Sequence, residues 1–222
     1  MATFAIGIEY EGSVFYGWQR QPNRLTVQGV LETALTQVAD TPTVISGAGR
    51  TDAGVHAMGQ VASFVSDANR TEEQWLKGLN SLTPNQVNVA WVREVEDSFH
   101  ARFKATARRY LYLFMEREQD TQASHLVWTV GSLDIDAMHR QAQCLVGEHD
   151  FTSFRGAGCQ ANTATRRINH CIVRRCGSVV VLDIEANAFL LHMVRNIASC
   201  LSRVDRNNSE DYVEILLKGK DR

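Results

Sequence analysis

Hydrophobic side chains in the first forty residues follow two different periods. Phe4, Ile6, Ile8 and Tyr10 alternate with smaller or polar residues, as expected of a β-strand. A second set recurs at the 3.6-residue period of a helix and consists of Val27, Val30, Leu31, Ala34, Leu35 and Val38. The residues between the two sets, 11–25, are rich in Gly, Gln and Arg and predict an irregular loop. The chain is therefore expected to begin with a strand, a loop and a helix.

The next sixty residues complete one structural unit by the same criteria. We predict short strands over residues 43–46 and 60–65 and a longer strand over 87–95. Thr71 and Gln74 have the spacing of a capping box, so a second helix is predicted to begin there. The resulting order, β-α-β-β-α-β, is that of a ferredoxin-like domain.

The second half of the chain repeats this order without the last strand. The predicted elements are a strand over 106–115, a helix capped by Asp134, strands over 168–176 and 179–186 joined by a turn at Gly177-Ser178, a helix with an apolar stripe from Phe189 to Val204, and a short helix capped by Ser209. The chain ends at Arg222, where a closing strand is expected to begin. We therefore predict an α+β fold with two ferredoxin-like domains, residues 1–103 and 104–222. The second domain is expected to be incomplete, and a ligand cleft is expected between the two.

Length and composition are those of an ordinary globular protein. The 222 residues are 44% hydrophobic and 22% charged, and no basic leader followed by an apolar run is visible. The most apolar region, 179–194, is interrupted by Asp183 and Glu185 and is too short to span a bilayer, so we expect a cytoplasmic protein. The five cysteines include no C-x-x-C pair, which predicts reduced thiols and no metal site.

The net charge of −2 does not by itself indicate a nucleic-acid-binding protein. The basic residues are, however, mostly arginine, whose planar guanidinium suits phosphate and stacks on bases. They concentrate in two groups, which are Arg102, Arg108 and Arg109, and Arg155, Arg166, Arg167, Arg174 and Arg175. Two such groups in a mildly acidic chain indicate a local phosphate-binding groove, although a solvated face is the other interpretation.

The most distinctive stretch lies between the two short strands, at residues 47–57. Three glycines there permit backbone angles that other residues avoid, which predicts a shaped loop able to approach a ligand closely. The loop carries one guanidinium, Arg50, and one carboxylate, Asp52. Spacing alone leaves two interpretations open, a functional carboxylate or an aspartate that bonds its own backbone in an Asx-turn.

Residues Gly49–Ala57, with the sequence GRTDAGVHA, resemble the signature of the tRNA pseudouridine synthase A family. Three later segments are similar to that family in the expected order, namely Arg108–Tyr112, Ala186–Leu190 and His192–Asn196. The resemblance implies two ferredoxin-like domains in pseudo-twofold arrangement, an active site in the cleft between them, and no cofactor. It also implies that a homodimer binds tRNA and isomerises uridines at positions 38, 39 and 40 of the anticodon stem-loop.

The resemblance further implies roles for individual residues. Asp52 matches the catalytic aspartate, and Tyr110 matches the tyrosine that stacks on the target base and relays its C5 proton. Arg195 matches the partner of that aspartate, and Arg50 matches the arginine that holds the flipped-out nucleotide. Arg108 is expected to bind substrate beside Tyr110, because alternate residues of a strand share a face.

Other residues allow two interpretations each. Arg166 and Arg167, in the loop 151–167, either contact RNA phosphates or are merely solvated. Four residues of the loop 11–25 either stack on bases or attach the loop to the core, and these are Phe15, Tyr16, Trp18 and Arg20. His56 is expected to pack or to make a loop hydrogen bond rather than to transfer a proton.

We therefore predict a tRNA pseudouridine synthase. A binding protein would need the arginines and aromatic residues, but not Asp52 together with Tyr110 and Arg195. The alternative is a tRNA-binding or tRNA-folding protein that keeps the groove and has lost turnover together with its closing strand. A small-molecule enzyme with a phosphate-binding loop is disfavoured, since the chain contains no Walker or Rossmann motif.

Overall fold

A computed structural model describes residues 1–116, 126–204 and 211–220 of the chain. Its contacts divide the chain into two compact units, Met1–Ala105 and Thr106–Arg222. Each unit has its own sheet and its own hydrophobic core, and the predicted α+β class is confirmed. No helix within the described ranges is long and apolar enough to cross a membrane.

The first unit is a four-stranded antiparallel sheet with helices. In chain order its elements are β1 (Ala2–Tyr10), α1 (Val27–Ala39), β2 (Ile45–Gly47), β3 (Ala57–Ser66), α2 (Glu72–Leu82), β4 (Val87–Val95) and α3 (Ala101–Lys104). The strands lie in the order β2-β3-β1-β4, and every neighbouring pair is antiparallel. This is the ferredoxin-like order, so the β-α-β-β-α-β prediction is confirmed for this unit.

An aromatic cluster joins α2 to this sheet. The rings of Phe4 and Phe64 stack with their centroids 5.3 Å apart, and Trp75 meets Phe64 edge-on at 5.0 Å. Each of these buried side chains stabilises the unit by roughly 2 kcal/mol. The helix begins where predicted because Thr71 Oγ1 accepts from Gln74 N (3.2 Å) and Gln74 Oε1 accepts from Thr71 N (2.9 Å). These reciprocal bonds satisfy two amides at the start of the helix.

The second unit is a five-stranded sheet with helices. Its described elements are β5 (Arg108–Glu116), β6 (Trp128–Val130), α4 (Ile135–Gln143), β7 (Gly147–Asp150), β8 (Thr165–Cys176), β9 (Val179–Ala186), α5 (Met193–Leu201) and α6 (Tyr212–Gly219). The strands lie in the order β6-β5-β9-β8-β7, and β6 alone among them runs parallel to its neighbour. Asp134 caps α4 by accepting from Ala137 N (3.0 Å), and the predicted turn at Gly177-Ser178 joins β8 to β9.

Several details differ from the sequence-based expectations. The predicted order omits β6, β7 and α3, because elements of three or four residues are too short to show a hydrophobic period. The last long helix is predicted to include Phe189, but α5 begins at Met193. The reason is that His192 has a left-handed backbone with φ of 60°, which a helix cannot contain. Ser209, the predicted cap of the last helix, lies outside the described residues.

A buried carboxylate ties together three strands of the second sheet. Asp183 of β9 lies on the face opposite the core residues Leu182 and Ile184. Its carboxylate accepts two hydrogen bonds from the Arg109 guanidinium, from Nε at 2.8 Å and from Nη2 at 2.6 Å. His170 Nε2 lies 3.0 Å from the same carboxylate. The hydrogen bonds from Arg109 are the main reason why the pKa of Asp183 falls from 3.8 to about 2.

Replacing Asp183 with Asn should lower the free energy of unfolding by about 2 kcal/mol at pH 7. The folded-state pKa lies below the unfolded value, so this contribution is present above about pH 4 and is lost as the pH falls through about 2. Urea unfolding of both proteins should show a difference that shrinks to about half by pH 3. Glu185→Gln, on the same face of β9, is the matched control. A difference that stays constant between the two pH values would contradict the ion-pair explanation.

Candidate active site

The predicted catalytic carboxylate lies in the loop 48–56, which connects β2 to β3. Val55 N donates to Asp52 O (3.2 Å) and closes a four-residue turn, whose third residue, Gly54, has the positive φ of 79° that a type II turn requires. In an Asx-turn the Asp52 carboxylate would bond Gly54 N, but that amide donates to Phe15 O (3.3 Å). The backbone therefore shapes this turn, and a functional use of the half-buried Asp52 carboxylate stays a prediction.

Backbone contacts hold this loop against residues 11–26, which we call the bracing segment. Trp18 N donates to Thr51 O (3.0 Å), one residue before the aspartate. Phe15 O accepts from Gly54 N, two residues after the aspartate. The aspartate is thus held on both sides, so the bracing segment limits how far its carboxylate can move.

Two glycines of the bracing segment lie directly against the loop. Gly17 has a φ of 82°, and a Cβ atom there would lie 2.6 Å from Thr51 O and 3.0 Å from the carbonyl carbon of Asp52. Only glycine allows this approach without displacing the loop. Gly12 N donates to His56 Nδ1 (3.3 Å), which is the loop hydrogen bond expected for that histidine.

Side chains of the first sheet hold the loop from another direction. The Tyr10 hydroxyl lies 2.8 Å from the Thr51 hydroxyl, and Gln60 Nε2 donates to Gly49 O (2.8 Å). Burial raises the pKa of Tyr10, so its hydroxyl keeps its proton at neutral pH. Thr51 therefore has its carbonyl bound to the bracing segment and its hydroxyl bound to β1.

In the second unit, β5 presents two predicted site residues on one face. Arg108 and Tyr110 occupy alternate positions in the register with β9, so their side chains point the same way. The Tyr110 ring meets Phe189 edge-on at 5.2 Å, and Arg108 Nη1 donates to Asn187 O (2.8 Å). Arg109, which the sequence groups with Arg108, points to the opposite face and forms the ion pair described above.

Asn187 connects this face to the start of β8. Its side-chain Oδ1 accepts from Arg167 N (3.0 Å) and from Ala188 N (2.8 Å), and its own amide donates to Arg167 O (3.0 Å). Arg108 and Arg167 therefore contact the same residue. The structure brings Arg108, Tyr110 and Arg167 together within the second unit.

The remaining predicted arginines differ in how they are engaged. Arg166 is partly buried, and its Nη1 donates to Thr163 O (3.0 Å) and Thr165 O (2.6 Å). Burial lowers the pKa of Arg166. The side chains of Arg167 and Arg50 are exposed. Arg166 thus shapes its own loop, whereas Arg167 and Arg50 face solvent.

Arg195 lies in the first turn of α5 and is exposed, as its position opposite the apolar stripe predicts. Burial raises the pKa of Tyr112, and the charge of Arg195 opposes part of that rise. Arg195 therefore lies on the side of β5 that carries Tyr112 and Tyr110. Asp52 belongs to the other unit, and the ion pair between it and Arg195 stays a prediction.

The cysteines and histidines form no metal centre in the part of the chain that the structure describes, where no group of three or more candidate ligands occurs. The five cysteines are free thiols. Burial raises the pKa of Cys171 to about 12 and that of Cys200 to about 11, so both thiols stay protonated and unreactive.

A family model described as tRNA pseudouridine synthase matches residues 6–104 and 141–222. The chain belongs to this family. The match includes the loop 48–56, the start of β8 and the segment from β9 to α5, and it leaves out β5.

Individual relatives agree with the family model. The protein named tRNA pseudouridine synthase A in Hydrogenovibrio crunogenus is 46% identical to this chain, and the alignment covers 100% of this chain and 86% of the relative. The identity is 47% in Pseudoalteromonas atlantica, over 98% of this chain and 84% of the relative. For the protein of the same name in Escherichia fergusonii the identity is 49%, over 98% of this chain and 82% of the relative.

The predicted site residues stay predictions, and the sequence pattern does not reveal the residues that contact them. Asn187 and Phe189 belong to a matched segment, yet only the structure shows that they contact Arg108 and Tyr110. Gly17 is likewise a supporting residue of the loop that contains Asp52. A glycine in a loop rich in aromatic residues is the signal that could have identified it.

Proposed function

We propose that this chain converts uridine to pseudouridine in tRNA and that it needs no cofactor. The observation that carries the proposal is the way the loop 48–56 is held. Residues on both sides of Asp52, Thr51 and Gly54, are hydrogen-bonded to other parts of the first unit. The relatives that align with 98% or more of this chain bear the name of that activity. A carboxylate fixed in this way is suited to covalent catalysis, since a nucleophile must meet its target at a defined position.

The proposed chemistry balances without a second substrate. The N1–C1′ bond of uridine breaks, the base turns, and a C5–C1′ bond forms, while C5 loses one proton and N1 gains one. A carboxylate is ionised at neutral pH and can form the transient covalent adduct, so we assign this role to Asp52. The positive charge of Arg195 would keep that carboxylate ionised when the substrate excludes water.

Tyr110 is assigned to the target base. Its ring is supported edge-on by Phe189, which leaves the position of the ring well defined for stacking. The flipped-out nucleotide must also be held away from its stem, and the exposed Arg50 beside Asp52 is assigned to this task. Arg108 and Arg167, which share Asn187, are assigned to RNA phosphates.

Three finer points of the proposal follow the family resemblance. The target uridines are at positions 38, 39 and 40 of the anticodon stem-loop, and the reaction takes place in the cytoplasm. The working form is a homodimer that binds one tRNA. Light scattering that gives the mass of a single chain, with and without tRNA, would contradict the dimer.

Release of tritium from tRNA labelled at C5 of uridine tests the proposed function. The chain should release tritium from unmodified tRNA in buffer without added metal or cofactor. The positions of pseudouridine are then read by sequencing the product. Tight tRNA binding without tritium release would favour the tRNA-binding alternative. Absence of both tRNA binding and tritium release would refute the proposal.

Arg167→Gln should weaken tRNA binding and reduce the slope of log K against log salt by about 1, since one phosphate contact is lost. Arg140→Gln removes an exposed arginine of α4 in the same unit and is the matched control, for which we expect an unchanged slope. Binding measured between low and physiological salt gives both slopes. Equal slopes for the two variants would contradict the assignment of Arg167 to a phosphate.

A further inference from the structure

Tyr16 differs from the other aromatic residues of the bracing segment. Phe15 and Trp18 are each only 3% exposed, so these two attach the segment to the core. The Tyr16 side chain is 50% exposed, although it lies between two residues that touch the loop 48–56. The Arg24 guanidinium covers its ring, with Cζ 4.3 Å from the ring centroid.

The backbone beneath Tyr16 is well fixed. Tyr16 N donates to Leu25 O (2.8 Å), and Gln21 Nε2 donates to Tyr16 O (3.0 Å). The next residue is tied to the start of α1, because Gly17 O accepts from Val27 N (3.2 Å). The ring therefore projects from a rigid base, and a ligand that stacks on it would not have to order the backbone first.

The position of Tyr16 relative to the predicted catalytic residue follows from its neighbours. Phe15 O is bonded to the amide of Gly54, and Gly17 lies against Thr51 O. Consecutive Cα atoms are about 3.8 Å apart, so the backbone of Tyr16 lies within a few ångströms of the loop that contains Asp52. An exposed aromatic ring is thus attached to backbone that lies next to the loop containing Asp52.

We propose that Tyr16 and Arg24 form a stacking platform for an unpaired RNA base next to the target uridine. This assignment rests on the proposed function. Flipping a uridine out of its stack leaves the neighbouring base without a stacking partner, and an aromatic side chain can replace that partner. The Arg24 guanidinium orients the ring and supplies a positive charge for the adjacent phosphate.

Binding of unmodified tRNA tests the platform directly. In an Asp52→Asn background, which prevents turnover, Tyr16→Ala should weaken binding about tenfold. Tyr16→Phe keeps the aromatic face and should bind within about twofold of the parent. Arg24→Gln should weaken binding and reduce the salt slope by about 1. Arg93→Gln, an exposed arginine paired with Glu72 on α2, is the matched control and should change neither value.

Kinetics with the intact Asp52 separate stacking from a structural effect. Tyr16→Ala should raise KM about tenfold and leave kcat within about twofold, because the carboxylate is not displaced. A fall in kcat at unchanged KM would show that Tyr16 only supports the loop and would overturn the platform. Unchanged binding by Tyr16→Ala would overturn it as well.

A fluorescent base beside the target uridine identifies what stacks on the ring. Fluorescence of 2-aminopurine at that position should be quenched on binding to the parent and less quenched with Tyr16→Ala. Equal quenching by both proteins would overturn the platform. The proposed function fails on a different result, namely that the unmutated protein binds tRNA but releases no tritium. If the unmutated protein does not bind tRNA, both the proposed function and the stacking platform are overturned.

Discussion

Replacing Asp52 with Asn should abolish pseudouridine formation and leave tRNA binding nearly unchanged. We expect turnover to fall by a factor on the order of 10⁴ or more, because the amide cannot form the covalent adduct. The loop should keep its shape, since its turn is closed by the backbone and its contacts come from neighbouring residues. Tritium release gives the turnover, and a filter-binding titration gives the affinity.

Asp67→Asn is the matched control for that experiment. Asp67 is an exposed aspartate just after β3, in the same unit, and its replacement should change neither turnover nor binding. Comparable loss of turnover and binding by Asp52→Asn would refute the catalytic assignment. Substantial residual turnover would also refute it and would direct the search to another nucleophile.

Replacing Gly17 with Ala should lower kcat about a hundredfold, because displacement of a catalytic group by about 1 Å has effects of that size. The new Cβ would lie 2.6 Å from Thr51 O, so either the bracing segment or the loop must move. Asp52 follows Thr51 directly, and its carboxylate would move with the loop. Single-turnover tritium release measures the loss at the chemical step.

Gly177→Ala separates the positional effect from backbone strain. Gly177 also has a positive φ, of 61°, but no atom lies within 4 Å of a Cβ placed there. Both variants should lose about 1 kcal/mol of stability from the left-handed backbone, and only Gly17→Ala should lose activity. Equal activity of the two variants would show that the bracing segment does not position the carboxylate.

The elements that sequence predicts well are those with a local physical cause. The capping box of Thr71 and Gln74 involves residues three apart, and α2 begins just after Thr71 as expected. The alternation at Phe4 and Ile6 likewise reflects the pleat of a single strand, β1. Such signals need no knowledge of the rest of the fold, so they can be read directly from the sequence.

The elements that sequence misses depend on partners far along the chain. The three residues of β6 become a strand only by pairing with the end of β5, and β7 only by pairing with the start of β8. The start of α5 is set by the backbone angle of His192, which no hydrophobic period encodes. These features follow from tertiary contacts, which the pattern of side chains does not show.

The residues of the candidate site stay a prediction from the family resemblance, and the contacts that support them are not visible in the sequence. Asp52 lies in the segment Gly49–Ala57 and Tyr110 in the segment Arg108–Tyr112, both of which resemble the family, and the family model matches the first segment but not the second. The Tyr10–Thr51 hydroxyl contact joins residues 41 positions apart, so no local pattern indicates it. Arg166 and Arg167 are neighbours in sequence, yet one shapes its loop and the other faces solvent. Only the geometry distinguishes them.

The contacts of the loop 48–56 have a consequence for folding during translation. The hydrogen bonds described above for that loop join residues of the first unit, between Tyr10 and Gln60. During translation these residues leave the ribosome before Tyr110 or Arg195 is added to the chain. N-terminal units generally fold first on the ribosome, so the loop that contains Asp52 can take its shape while the second unit is still being synthesised.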